Sequence, residues 1–195
     1  MATPVVVVVQ GPPAAGKTTV ARELAALLHL PLIAKDTIKE ARFDELGTGD
    51  LAWSARLGAA TYLVLGALVE ESAGTGASLV LEGNFARGSE LEAQLAALPT
   101  RIVQVHCSAP LELLLERYAS RGRHPGHLDN ERIDALREAV ESRKHDPLEL
   151  PGETIRIDTS GPVDLAALAV RIAETGGSHR DETVATWPGA GSHTG

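Results

Sequence analysis

Positions 11–18, Gly11-Pro12-Pro13-Ala14-Ala15-Gly16-Lys17-Thr18, constrain this chain more than any other stretch. They have the form G-x-x-x-x-G-K-[ST], which carries meaning only between a strand and a helix. Both flanks fit. Residues 5–9 are an unbroken run of valine, the pattern of a parallel strand buried on both faces. From Thr19 onward, Val20, Leu24, Leu27 and Leu28 recur at helical spacing. Gly11 and Gly16 let the backbone bend so that successive N–H groups converge on phosphate oxygens. The positive end of the following helix adds to that field. Ala14, Ala15 and Thr19 belong to the same cradle. Lys17 can reach the β- and γ-phosphates, and the Thr18 hydroxyl can hold Mg²⁺. The expected ligands are ATP and Mg²⁺.

The 195 residues are enough for one α/β domain with its own core. Aromatic residues make up only 3% of them, so that core must be built from Val, Leu, Ile and Ala. A net charge of −8 argues against a broad nucleic-acid or membrane-binding surface, while leaving room for a local basic site. The lone Cys107 rules out an internal disulfide and fits a cytoplasmic setting. At the end of a predicted strand it reads as a packed small residue. No signal peptide is visible, and nothing approaches transmembrane length.

Along the chain, strands and helices alternate, which predicts a parallel sheet flanked by helices. After the valine strand, further strands are expected at 31–34, 78–83, 101–107 and 154–158. The expected sheet order is 2-3-1-4-5, with 5–9 central. A helix over 36–46 is followed by one capped by Asp50, with Trp53, Leu57, Ala60, Val64 and Leu68 on one face. Ser89 and Glu92 make a capping box for a short helix bearing Leu91 and Leu95. Pro110 suits the first turn of a helix reaching Ser120. Asp129 is expected to cap a charged helix running to about His145. A last helix spans 163–174. The domain is placed at 1–175, with a lid at about 117–145 and a flexible tail over 176–195.

Ligands of open α/β sheets sit beyond the carboxyl ends of the strands. Asp36 lies at such an end. It can take the proton of an acceptor hydroxyl as that oxygen attacks phosphorus, or it can simply cap the helix that follows. Lys35 and Lys39 flank it and, taken singly, read as solvated surface. Glu82 ends the third strand, where an acid can organise Mg²⁺ through water or contact substrate. Asn84 and Arg87 follow it as further substrate candidates. Arg117 and Arg121 share a helix face, and with Arg123 they can close over phosphates and stabilise transition-state charge. His124 and His127 bracket Pro125-Gly126. No cysteine or acid surrounds them at zinc spacing, which favours contact with substrate or nucleotide. Asp158, after the last strand, is a candidate for contacting the nucleotide base.

These motifs together resemble a small P-loop kinase of the group that holds predicted AAA-type kinases, zeta-toxin-like kinases, the tunicamycin-resistance ATPase and the polynucleotide kinase domain. The resemblance spans residues 5–174. It rests on 11–18, on Asp36-x-x-Lys39 and on the arginines between 117 and 123. It implies a five-stranded core, Asp36 as general base, and a substrate phosphate or hydroxyl site around Lys39. That group often has Arg where Lys39 stands and Asp where Glu82 stands. The leading expectation is a phosphotransferase acting on a small hydroxyl-bearing acceptor: a nucleoside, a sugar, an aminoglycoside or another antibiotic. The alternatives are a 5′-hydroxyl polynucleotide kinase, against which the acidic charge speaks, and an ATP-binding regulatory module, which would have no use for a base at Asp36.

Overall fold

The computed structural model describes residues 4–174, so the tail expected over 176–195 lies outside the described residues. Its frame is a five-stranded parallel sheet in the order β2-β3-β1-β4-β5. The strands are β1 (Val5–Gln10), β2 (Leu32–Ala34), β3 (Leu79–Gly83), β4 (Arg101–Ser108) and β5 (Glu153–Asp158). The expected order, with the valine strand at the centre, is the observed one. Alternation along β1 sends its valines to two separate cores. Val5, Val7 and Val9 pack with Leu24, Leu168 and Ile172, from α1 (Lys17–Leu28) and α7 (Leu165–Glu174). Val6 and Val8 pack with Leu65, Val69, Leu91 and Leu95, from α3 (Leu51–Gly74) and α4 (Glu90–Ala96). Burial of one such side chain contributes about 1.5–3 kcal/mol, so a strand without polar alternation has its proper place here, covered on both sides. Cys107 is buried in the first core, which pushes its thiol up to about 12.

Several expectations are corrected. α3 does not bury the stripe through Val64 and Leu68; Leu68 is exposed, and the buried line runs through Ser54, Leu57, Thr61, Leu65 and Val69. The small polar members of that line meet cations from α2 (Lys35–Leu46). Lys39 donates to Ser54 Oγ at 2.9 Å, and Arg42 to Thr61 Oγ1 at 3.2 Å. Lys35 and Lys39 are therefore buried, not surface residues. By length and composition α3 could cross a membrane, contrary to the sequence reading, yet Leu65 and Val69 lie in the core under the sheet.

Only half of the expected capping box forms. Ser89 Oγ accepts from Glu92 N, while the Glu92 carboxylate takes the N–H groups of Gly88 and Glu149. Pro110 sits at the N-cap of α5 (Leu111–Ser120), and Arg121 is already extended beyond that helix, so it shares no helical face with Arg117. Asp129 caps nothing. Its carboxylate is taken by the Tyr118 hydroxyl and by Arg121, and residues Asp129–Arg132 form a 3-10 turn. The helix that follows, α6 (Ile133–Glu141), ends short of His145.

Candidate active site

The loop between β1 and α1 is held by sterics and by one long-range bond. At Gly11, φ is 145° and a Cβ would lie 2.1 Å from the Cys107 carbonyl oxygen, so no side chain fits there. Gly16, at φ 72°, is the N-cap of α1, and Ala14 also adopts a left-handed conformation. Thr159 Oγ1 lies 3.1 Å from the Ala15 carbonyl oxygen, and its own carbonyl accepts from Arg117 Nη2 at 2.8 Å. The end of β5 thus braces the loop from behind. Lys17 is buried and donates to the Pro12 carbonyl at 2.7 Å. Burial lowers its pKa, and Glu82 and Asp36 oppose that shift. Thr18 and Thr19 are exposed and line the cleft in front of the loop.

That cleft has a volume of about 1100 Å³ and opens at the carboxyl ends of β1, β2 and β3. Lys17, Asp36 and Glu82 all line it. Asp36 lies in the first turn of α2, but the N-cap position is Ala34, and the Asp36 carboxylate engages side chains instead of helix N–H groups. Its Oδ2 lies 2.5 Å from Arg123 Nη2 and its Oδ1 3.4 Å from Lys35 Nζ. The capping reading of Asp36 is thereby excluded. Burial alone would raise the Asp36 pKa; Lys35, Arg123 and His127 overcome it and hold the carboxyl well below the usual range. Lys35 also donates to Asn84 Oδ1 at 2.9 Å. Glu82 is 2% exposed and makes no side-chain hydrogen bond among the described residues. Burial raises its pKa, and Lys17 pulls it back.

Lys39 is pushed down to about 8, first by burial, then by the nearby charges of Lys35 and Arg132. His127 Nε2 lies 2.8 Å from both Glu40 Oε1 and Arg123 Nη2, so it can donate to the first or accept from the second, not both. Burial, then Arg123, lowers its pKa.

Some expected site residues stand elsewhere. Arg87 pairs with Glu149 at the surface, outside the cleft. His124 stacks on Phe43 and faces Asp44. Asp158 is exposed and receives Ser160 N, with no place in the cleft lining. Among the described residues no three His, Cys, Asp or Glu side chains gather as a metal set. Tyr62, Arg132 and His145 are among the cleft residues that had no signal in the sequence.

His145 is placed by β4, whose His106 Nε2 donates to the His145 carbonyl at 3.0 Å. Nearby, Gln104 accepts from Leu148 N at 2.7 Å. The ring Nδ1 lies 3.0 Å from the Phe85 carbonyl and must donate to it, which leaves Nε2 as an acceptor without a protein partner among the described residues. Burial pushes the imidazole down from 6.5 to about 4. Below pH 6.5 the unfolded chain takes up a proton that the folded state refuses until about pH 4, so His145 lowers stability as pH falls through that window. His106, also lowered by burial, acts in the same sense. Denaturant unfolding between pH 7 and pH 4 should show this loss, and His145→Gln should reduce the slope. Equal slopes in the two proteins would contradict the assignment.

The sequence model of a family described as AAA domain matches residues 6–142. A presumed kinase from Chloroflexus aurantiacus j-10-fl is 37% identical, with 88% of this chain and 98% of that one covered, at a TM-score of 0.80. A sugar kinase from Janibacter sp. HTCC2649 shares the fold at 19% identity, covering 89% of this chain and 94% of that one, with a TM-score of 0.57. So does a gluconokinase from Sinorhizobium meliloti 1021, at 21% identity, 92% and 100% coverage and a TM-score of 0.54. No curated protein matches the chain.

Proposed function

Since the chain belongs to the AAA domain family, we propose that it is an ATP-dependent phosphotransferase that moves the γ-phosphate to a hydroxyl of a small molecule. The observation that carries this reading is the meeting of Lys17 and Asp36 in one cleft, with Asp36 free of any capping duty. The presumed kinase among the relatives agrees with phosphotransfer, and the sugar kinase and gluconokinase that share the fold agree with a small hydroxylated acceptor.

Lys17 rests on the Pro12 carbonyl until phosphate oxygens compete for it. The backbone N–H groups from Ala14 to Thr19 complete the cradle. As the acceptor oxygen bonds to phosphorus, its O–H proton passes to the Asp36 carboxylate, the bond from γ-phosphorus to the bridging oxygen breaks, and ADP leaves. Asp36 is ionised and ready for that proton, but Arg123 occupies it. A guanidinium fork matches phosphate oxygens as well as it matches a carboxylate. Closure of the segment at about 117–145 would move Arg123, with Arg121, onto the nucleotide and unmask Asp36. Thr18 and Glu82 suit Mg²⁺, as an exposed hydroxyl and a buried carboxylate without a side-chain hydrogen bond among the described residues. The ion would neutralise phosphate charge.

The test is ATP consumption by the wild-type protein across nucleosides, sugars, aminoglycosides and other antibiotics. Consumption should be slow alone and rise with the right acceptor class. Arg121→Ala and Arg123→Ala should lower kcat strongly while changing ATP affinity by less than about tenfold. Flat consumption across all acceptors, with both arginine variants at full rate, would count against the reading.

A further inference from the structure

One cleft residue has no part in the steps above and is nonetheless held rigidly. His145 is 8% exposed and lines the cleft. Three bonds fix it. Its Nδ1 donates to the Phe85 carbonyl at 3.0 Å, and its own carbonyl accepts from His106 Nε2 at 3.0 Å. The carbonyl of Lys144, beside it, accepts from Arg87 N at 3.1 Å. The tautomer is thereby set, and Nε2 carries a lone pair and no proton. Among the described residues, the side-chain polar atoms sealed from solvent without a partner lie on Gln10, Arg101 and Arg132, so this Nε2 is open to the cleft. Burial, then Lys17, Lys144 and Lys35, disfavour a proton on the ring, which is a neutral acceptor down to about pH 4. An acceptor buried this deeply and left unpaired is costly unless a ligand brings the missing donor. The same three lysines repel an ammonium, so the donor that suits the place is a neutral O–H.

Resting on the phosphotransferase reading, we propose that His145 Nε2 accepts a hydrogen bond from a second hydroxyl of the acceptor, so that the molecule phosphorylated is a polyol and not a simple alcohol or phenol. The wall that joins the two contacts is continuous. Lys35 Nζ lies 3.4 Å from Asp36 Oδ1 and 2.9 Å from Asn84 Oδ1, and Asn84 precedes the Phe85 whose carbonyl fixes the imidazole. Tyr62 donates to the Asn84 carbonyl at 3.3 Å and holds that turn from the side of α3. One hydroxyl gives its proton to Asp36 as it attacks phosphorus. The other only donates a hydrogen bond, and its O–H stays intact. Two contacts fix a compact polyol in one orientation, which selects the hydroxyl that meets the phosphate.

The experiment saturates the loop at 11–18 with a non-hydrolysable ATP analogue and Mg²⁺, then titrates two series of probes by calorimetry. One is D-glucose with its monodeoxy analogues, the other adenosine with its 2′-, 3′- and 5′-deoxy analogues. In at least one series, removal of a single hydroxyl should weaken binding at least about tenfold, because it leaves His145 Nε2 unpaired. His145→Asn sets an amide near the place of Nδ1, keeps the bond to Phe85 and has nothing at Nε2. It should bind the ATP analogue as the wild type does, yet no longer distinguish that deoxy analogue from its parent. His145→Gln carries an acceptor oxygen close to the place of Nε2 and should keep part of the difference. Equal binding of every deoxy analogue and its parent in the wild type, no measurable binding of either parent, or a difference that persists in full in His145→Asn would overturn the subsite. So would a loss of ATP-analogue affinity in folded His145→Asn, which would assign Nε2 to the nucleotide instead. Phosphotransfer assays on the same compounds keep the two ideas apart, and the phosphate should appear on a hydroxyl other than the one His145 senses. Hydroxyl dependence through His145 with no transfer to either parent sinks the kinase reading alone. Transfer that tolerates the loss of every other hydroxyl sinks the subsite alone.

Discussion

Asp36→Asn is expected to bind ATP as the wild type does and to transfer phosphate more slowly by a factor on the order of 10²–10⁴, the usual worth of a positioned general base. The substitution keeps size and hydrogen-bonding capacity but removes the site that takes the proton. Asp36 contacts Arg123 and Lys35, and neither belongs to the loop that cradles phosphate, so nucleotide affinity should survive. Folding should survive too, because Asp36 caps no helix and an amide is easier to bury than a carboxylate. Equilibrium binding of ATP and single-turnover transfer to the acceptor measure the two effects separately. Wild-type transfer rates, or loss of ATP binding, would each contradict the role given to Asp36.

Lys17→Ala should lower ATP turnover at least about tenfold, the equivalent of roughly 1.4 kcal/mol of transition-state stabilisation. The side chain is buried at the mouth of α1, and its ammonium meets only the Pro12 carbonyl, a neutral partner that phosphate oxygens displace readily. Its removal also leaves Glu82 without the cation that most offsets its burial, so Glu82 should hold its proton to higher pH in the variant. Steady-state turnover with a check of folding by circular dichroism decides the matter. Unchanged turnover in a folded variant would rule the site out.

The frame was legible because its signals are local. Consecutive valines suit a strand covered on both faces, and the glycine-bounded loop asks for a strand before it and a helix after it. The side of the cleft built by α2 and α3 was far less legible. Ser54 and Thr61 carry no hydrophobic signal, so the apolar count along α3 selected the neighbouring stripe; the true face is polar because it receives Lys39 and Arg42. Asp129 read as a helix cap because a cap is the commonest local use of Asp, while its actual partners arrive from α5 and the residue after it. Arg132 and His145 acquire meaning only through what surrounds them in space. The histidine pair is divided in space: a single turn separates His127, in the cleft, from His124, stacked on Phe43 outside it.

The Ser54 hydroxyl, buried beneath Lys39, has a consequence for anyone who would change the charge at position 39. It accepts from Lys39 Nζ and donates to the Gly126 carbonyl, both at 2.9 Å. A hydroxyl owns one hydrogen, so the chain of bonds runs from residue 39 through 54 to 126 and has a fixed sense. No side chain fits at 126 on that side, since a Cβ there would come within 2.6 Å of the Phe43 ring. The charge at position 39 and the placement of the turn at 125–127 are thus not separable design variables. Inverting the charge at position 39 would demand the same hydrogen from both directions and unfasten the turn at 125–127, so such a change has to be built as a paired change at 39 and 54.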